Sequence, residues 1–289
     1  MTVVEPRRPS VSAAQSIPTY YRMLLRGQLT KGRMVGLGVL GGISLLLAVV
    51  TRTSAEQVDL EEVSVALLSA YSISLLIPLA ALILASPMIG NLVEDRLLVY
   101  LWLKPVPRWH LAVAAYAAVV TTLAPVVVLP VVATAAITGF GSLIVPATAA
   151  AILGVLAYSA IYLFLGARFT AGLWLGLLYL VLWENVVSRF GSGMARLSIR
   201  SYLQTMLQRG TDVPIDLADR ASWASIVIPL VVAVAAVAAV GRSVAAPTAP
   251  TAMDTKVGDL LSYRQLPSGS SVSPHGPPWI SRPDQFAAI

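Results

Sequence analysis

Six long apolar segments alternate with short polar or basic segments along the chain. They cover residues 34–50, 63–85, 111–137, 143–165, 172–187 and 223–240. Each segment is continuously apolar, and a helix needs roughly 20 such residues to cross the hydrocarbon of a bilayer. Lipid supplies no water to an open backbone, so the segments favour helices over strands. The pattern predicts an all-α polytopic membrane protein with six transmembrane helices within residues 34–242.

The two ends of the chain differ from this apolar region. Residues 1–16 are polar, and residues 243–289 are rich in Pro, Ser, Ala and Gly, so we predict a disordered N-terminus and a disordered cytoplasmic tail. Residues 17–33 place apolar side chains, among them Tyr20 and Tyr21, near one helical face and arginines largely elsewhere. This pattern predicts an amphipathic helix at the membrane interface, with an unstructured basic tail as the alternative.

Composition narrows the classes of function. Hydrophobic residues make up 57% of the chain and charged residues 12%, against about 25% charged residues in a soluble domain. Cysteine is absent and histidine occurs twice, which excludes disulfide scaffolds and thiolate sites and leaves almost no material for a histidine metal site. In a membrane protein the net charge of +6 indicates topology and contact with anionic membrane lipids rather than nucleic acid.

The lysines and arginines also predict the orientation. With the N-terminus inside, the predicted cytoplasmic segments hold most of them, so both termini are expected in the cytoplasm of a cell membrane (plasma or inner). The segment 188–222 is the exception, because it carries several arginines and is assigned to the outer side. These arginines are expected in a folded element among the lipid headgroups, unless the fifth span is wrong.

Glycine motifs in the first span indicate packing rather than catalysis. Gly36, Gly38 and Gly41 match GxGxxG, but the match lies inside an apolar span and not between a strand and a helix. Gly38 and Gly42 form a GxxxG pair, which lets two helices approach closely. The sequence has no GxxxxGK[ST] phosphate loop and no HExxH motif, so we predict that the chain is not an enzyme and holds no cofactor or metal.

Charged residues are nearly absent from the interiors of the predicted spans. Glu184 is the exception; it lies beside Asn185 near the predicted outer end of the fifth span. Two interpretations stay open: an interfacial carboxylate that pairs with Arg189, or a polar contact at the outer mouth of a substrate pathway. Ion-coupled carriers need more buried charge than this, which argues against that class.

The segment between the second and third spans carries the most information. It begins with the acidic pair Glu94 and Asp95, continues with an apolar stripe, and ends in a basic stretch containing Pro105 and Arg108. Acidic residues at the start and basic residues at the end suit the dipole of a helix, and prolines end helices. The segment predicts a short helix at the cytoplasmic membrane surface.

This segment resembles the coupling segment in the membrane subunits of type-2 ABC exporters. In that family it commonly reads as an acidic pair, Gly-Thr-Leu-Glu, two leucines and then Pro-Val-x-Arg. The matching residues here are Glu94, Asp95, Leu98, Pro105, Val106 and Arg108. Arg96 and Leu97 replace Gly-Thr, and Val99 replaces the second Glu.

The resemblance implies a permease subunit that forms the translocation pathway and couples to a separate ATPase. Expected partners are two copies of a cytoplasmic ABC ATPase, which would hold the ATP and Mg, and a second permease copy or a related permease. It also implies re-entrant or interfacial helices before the sixth span. Residues expected in the ATPase-coupling segment are Glu94, Asp95, Arg96, Leu98, Pro105 and Arg108. The alternatives are an ion-coupled secondary transporter that uses Glu184 and a membrane scaffold without transport activity.

Overall fold

The computed structural model of the chain describes residues 13–28, 30–54, 59–94, 109–169, 171–184, 198–215, 221 and 223–245. Every regular element within these ranges is a helix, as the sequence predicts. The helices are α1 (Ala13–Gln28), α2 (Lys31–Thr53), α3 (Leu60–Ala66, π-helical Leu67–Leu76 and Ile77–Glu94), α4 (Trp109–Thr138), α5 (Gly141–Arg168), α6 (Gly172–Leu178 and π-helical Tyr179–Glu184), α7 (Ile199–Gln208) and α8 (Ala224–Ala245).

Within these ranges, five helices are long and apolar enough to cross a bilayer, namely α2, α3, α4, α5 and α8. They coincide with the predicted first, second, third, fourth and sixth spans, and they are compatible with a multi-pass membrane protein. The predicted fifth span, 172–187, is occupied by α6. Its 7 α-helical and 6 π-helical residues fall short of the roughly 20 that a span requires, so the count of six spans is not confirmed.

Helices α2, α3, α4 and α5 alternate in direction, and α8 runs parallel to α5, which divides the helix ends into two groups. Near the end of α2, Nη1 of Arg52 donates a hydrogen bond to the carbonyl oxygen of Thr138 at the end of α4 (3.4 Å). At the other end, Nε2 of Gln28 donates to Sδ of Met88 (3.1 Å). The basic end of the bundle is defined by Lys31, Arg33, Arg168 and Arg242. The acidic end is defined by Asp59, Glu61 and Glu62.

Helix α5 lies at the centre and packs against α3, α4, α7 and α8. Glycines allow the closest of these contacts. A methyl group at Gly166 would overlap the backbone carbonyl of Ser86 on α3, and one at Gly154 would lie 2.9 Å from Cγ2 of Ile77 and 3.0 Å from Cδ1 of Leu203. Gly166 therefore lets α5 contact the backbone of α3, and Gly154 lets side chains of α3 and α7 contact the backbone of α5.

Helix α3 changes to π-helical geometry over Leu67–Leu76, just before Pro78. Proline has no N–H to donate and its ring crowds the preceding turn, so one backbone hydrogen bond is missing where the π-helical segment passes into α-helix. Within the π-helical segment, the Oγ atom of Ser74 donates to the carbonyl oxygen of Ser69 (2.7 Å). Such wide turns are frequent at functional sites, and this one directs buried serines into the bundle.

Helix α7 lies inside the bundle, whereas the arginines of residues 188–222 were expected among the lipid headgroups. Residues 199–207 are all buried, and Arg200, expected among headgroups, is only 5% exposed. The polar side chains of this segment led to its assignment between two spans on the outer side. In the fold these side chains have polar partners inside the bundle, so α7 is an interior element. Arg209 is exposed near the acidic end, and the segment's other arginines lie outside the described residues.

The N-terminal helix α1 is amphipathic and packs against α4. It begins at Ala13 and ends at Gln28, where the sequence predicted a helix over 17–33. Tyr20 and Tyr21 are partly buried against the core, and the arginines of its opposite face are exposed. The predicted tail 243–289 lies outside the described residues beyond Ala245.

Candidate functional site

A cavity of about 550 Å³ lies between α3 and α7 at the acidic end. On α3 its lining residues recur every three or four positions, and on α7 they are four positions apart, so each helix contributes one face. A short stretch after α7 closes a third side. The lining residues are Asp59, Glu62, Val65, Ala66, Ser69, Ala70, Arg200, Gln204, Val213, Pro214 and Ile215.

The charges in this cavity are separated along its depth. Asp59 lies at the start of α3, where its Oδ1 accepts hydrogen bonds from the backbone N–H groups of Glu61 (3.0 Å) and Glu62 (3.3 Å). Arg200 lies at the other limit, because about 15 Å of helix separates it from Gly210 at the acidic end. The cavity therefore has carboxylates at its mouth and a guanidinium group deep inside.

Two side-chain hydrogen bonds connect the walls of the cavity between these charges. Nε2 of Gln204 on α7 donates to Oγ of Ser69 on α3 (2.7 Å). Nearer the mouth, Oγ1 of Thr211 donates to Oε1 of Glu61 (2.7 Å). Among the described residues, Oε1 of Gln204 and Oγ of Ser72 are buried without a hydrogen-bond partner. The two helices are thus held together by polar contacts that leave further hydrogen-bonding capacity in the interior.

Glu184 ends α6 and caps the N-terminus of α7. Its Oε1 accepts hydrogen bonds from the hydroxyl of Tyr179 (2.9 Å) and the N–H of Ile199 (3.3 Å). Its Oε2 accepts from Oγ of Ser198 (2.6 Å) and the N–H of Arg200 (3.4 Å). A carboxylate at a helix N-terminus satisfies otherwise unpaired donors and lies at the positive end of the dipole.

Three tyrosines extend this buried polar cluster. The rings of Tyr158 and Tyr162 on α5 are stacked with centroids 6.0 Å apart, and Tyr162 meets the ring of Tyr179 edge to face at 6.3 Å. Among the described residues, the hydroxyl of Tyr162 is buried without a hydrogen-bond partner. The carboxylate of Glu184 therefore lies in the interior of the bundle, in a setting rich in hydroxyl groups.

The structure places Glu184 differently from either sequence interpretation. The side chain is 1% exposed, and its oxygens bond to the N-terminus of α7 rather than facing an interface or a mouth. Asn185 and Arg189 lie outside the described residues. Two short helices that meet at a buried carboxylate resemble the broken helices that line pathways in membrane transporters.

The other predicted site residues that the structure describes do not line this cavity. Glu94 is the last residue of α3 and lies at the basic end. Around Gly38 and Gly42, nothing lies within 4 Å of the position a Cβ would take, so the GxxxG pair faces away from the bundle. The predicted positions that lie outside the described residues are Asp95, Arg96, Leu98, Pro105 and Arg108.

Sequence reasoning missed Arg200, Gln204 and Ser69. A signal for the first two is present, because Arg200 and Gln204 are four residues apart in a strongly amphipathic stretch and so share one helical face. Ser69 carries no comparable signal in an apolar span. Its position became informative only when the fold placed it opposite Gln204.

Within the described ranges, no group of three or more His, Cys, Asp and Glu residues could hold a metal ion. No protein-family model matches the chain, and no curated protein matches its sequence.

Proposed function

We propose that this chain is the permease subunit of an ATP-driven exporter and that the cavity between α3 and α7 belongs to its translocation pathway. The observation that carries the proposal is this cavity, which brings a guanidinium group and amide and hydroxyl groups into an otherwise apolar bundle. Ionisable groups within membrane segments are costly and typically mark pathways. The dependence on ATP rests on the resemblance of residues 94–108 to a coupling segment.

One helix links the two regions. Helix α3 begins at the cavity mouth, passes through the π-helical segment beside the cavity, and ends at Glu94 where the coupling segment starts. Force applied by an ATPase at residues 94–108 would therefore act on the helix that forms a cavity wall. ATP binding shifts the permease only if the ATPase binds one conformation better than the other.

The charge distribution supports a cytoplasmic basic end. Lysines and arginines concentrate on the cytoplasmic side of membrane proteins, and the basic end is also where α3 delivers the coupling segment. Two ATPase subunits holding ATP and Mg would bind there, while the cavity would open on the outer side. A second permease copy, or a related permease, would complete a central pathway.

An ion-coupled secondary transporter is the second candidate, and the burial of Glu184 favours it. Such a carrier needs a buried carboxylate that exchanges a proton or cation during each cycle. Both oxygens of Glu184 already accept hydrogen bonds, two of them from the backbone of α7. Exchange at this site would uncap a helix, so an ATP-driven mechanism is the better supported of the two.

The first experiment is affinity purification of the tagged chain in mild detergent, followed by mass spectrometry. We expect a stoichiometric soluble protein with a Walker A motif. A preparation without an ATPase, combined with transport that follows an ion gradient and is lost in Glu184→Gln, would replace the proposal with the secondary transporter. A scaffold would instead be indicated by two results together: no transport driven by ATP or by an ion gradient, and loss of function when residues 243–289 are deleted.

The coupling segment is tested in the reconstituted complex. The double variant Glu94→Ala/Asp95→Ala should lower ATPase activity stimulated by transport while expression and assembly stay unchanged. Lys31→Ala is the matched control, because it also removes an exposed charge from a helix terminus at the basic end but lies outside residues 94–108. Equal stimulation in the wild type and the double variant would remove Glu94 and Asp95 from the mechanism.

A further inference from the structure

A second cavity, of about 640 Å³, is a groove between α4 and α8 that does not contact the polar cavity. Its walls are apolar, and small residues of both helices form much of its lining, among them Ala112, Ala233 and Ala238. Tyr116 also lines it, but its hydroxyl donates to the carbonyl oxygen of Leu156 (3.0 Å) and is satisfied within the protein. Between its two ends, the groove therefore presents an apolar surface to any molecule that binds there.

The length of the groove matches one leaflet of a bilayer. It follows α8 from Leu230 to Arg242, which is about 18 Å at a rise of 1.5 Å per residue. The hydrocarbon core of a bilayer is about 30 Å thick, so one leaflet contributes about half of that. The groove therefore extends from the basic end to the middle of the membrane, which is the length of one lipid acyl chain.

The end of the groove at the basic end carries the groups that suit a lipid headgroup. Arg242 is exposed there in the last turn of α8, and Trp109 is 52% exposed in the first turn of α4. Gly241 of α8 lies beside Trp109, since a methyl group there would be in ordinary van der Waals contact with the tryptophan Cβ, at 3.6 Å. Tryptophan prefers the interface, and a guanidinium group binds phosphate oxygens through paired donors.

We propose that this groove binds one acyl chain of an anionic phospholipid from the leaflet at the basic end, with the lipid phosphate on Arg242. The charge of Arg242 selects an anionic over a zwitterionic headgroup, and the apolar walls hold the chain. The proposal requires only that the chain lies in a bilayer. It therefore stands or falls separately from the proposed transport function.

Trp109 reports on the groove directly through quenching by brominated lipid. A variant that keeps Trp109 and replaces the other five tryptophans by Phe is reconstituted in phosphatidylcholine vesicles that contain phosphatidylglycerol. Bromine is carried on the acyl chains of one lipid or the other. A second variant that keeps only Trp174 is the matched control, since this tryptophan lies near the basic end on α6, is 71% exposed and lines neither cavity.

We expect brominated phosphatidylglycerol to quench Trp109 at about a five-fold lower mole fraction than brominated phosphatidylcholine. A preference of about this size follows from the attraction between one arginine and an anionic membrane surface. Trp174 should respond equally to both lipids. Arg242→Gln should abolish the preference at Trp109, and Ala238→Phe, which fills the groove, should reduce quenching by both lipids at Trp109 alone.

Three results would overturn the proposal. Equal quenching of Trp109 by the two lipids would mean that the groove holds ordinary annular lipid. A preference that survives Arg242→Gln would locate the anionic lipid elsewhere. Absence of quenching by either lipid would show that protein, such as a second copy of the chain, covers the groove. Size-exclusion chromatography and far-UV circular dichroism verify that each variant is folded.

Discussion

Helices α7 and α8 are consecutive in the chain and opposite in character. Helix α7 carries Arg200 and Gln204, and its residues 199–207 are buried. Helix α8 is almost wholly apolar, and much of its surface, including Val231 and Val234, is exposed. A soluble protein would show the reverse. The comparison teaches that in this chain a polar helix can be buried while an apolar helix is exposed.

The solvent explains this inversion. Lipid is as apolar as valine, so the exposed valines of α8 lose nothing by facing it. A polar side chain facing hydrocarbon would lack hydrogen-bond partners, which is costly. The polar groups of α7 find partners inside, at Ser69 and Glu184. The burial of polar side chains in this protein therefore depends on where hydrogen bonds can be made.

The largest expected effect comes from Leu203→Ala in α7. Leu203 is 0% exposed and packs beside Gly154 of α5, so truncation leaves a cavity and should lower the free energy of unfolding by about 2–5 kcal/mol. Leu129→Ala on α4 is the matched control, because that leucine is 68% exposed and should change stability little. Reversible unfolding in mixed micelles measures both. Similar losses would mean that α7 is not an interior element.

Glu184→Ala should follow, with a loss of about 2–4 kcal/mol, because it leaves the buried N–H groups of Ile199 and Arg200 without their acceptor. Glu184→Gln keeps one carbonyl oxygen for the cap and should lose less. The same unfolding assay compares the two variants. If the alanine variant were as stable as the wild type, the carboxylate would not hold α6 to α7.

Ser69 and Gln204 test the polar contact across the cavity. Each of Ser69→Ala and Gln204→Leu leaves one buried partner unpaired, whereas the double variant removes both. A double-mutant cycle should therefore yield a coupling energy of about 1 kcal/mol. Additive single effects would show that α3 and α7 are not joined by this bond.

The smallest effect is expected on the outward face of α2. Gly38→Ala and Gly42→Ala meet no other atom, so the isolated chain should keep its stability or gain up to about 1 kcal/mol per residue from helix propensity. Gly166→Ala, which collides with the backbone at Ser86, should destabilise the chain by about 1–3 kcal/mol. If α2 binds a second permease, Gly38→Ala and Gly42→Ala should lower self-association in a crosslinking assay without lowering the stability of the isolated chain.

The apolar runs were sufficient to predict the helices with the greatest lipid contact. Helices α2, α4 and α8 follow from continuous apolar runs, since a lipid-facing helix must be apolar along its length. The polar cavity could not be predicted in the same way. Its walls come from an apolar span and a polar segment far apart in the chain, and Ser69 gains significance only from Gln204 opposite it.

The sequence by itself determined the helical class and the five long apolar helices. It also determined that cysteine is absent and histidine rare, and it contains the segment that resembles a coupling region. These features depend on composition and on local periodicity, which every residue carries with it. Only the tertiary structure decided that α7 lies inside, that Glu184 caps it, and that Arg200 faces a cavity. Those outcomes depend on hydrogen bonds between distant segments, which hydropathy does not record.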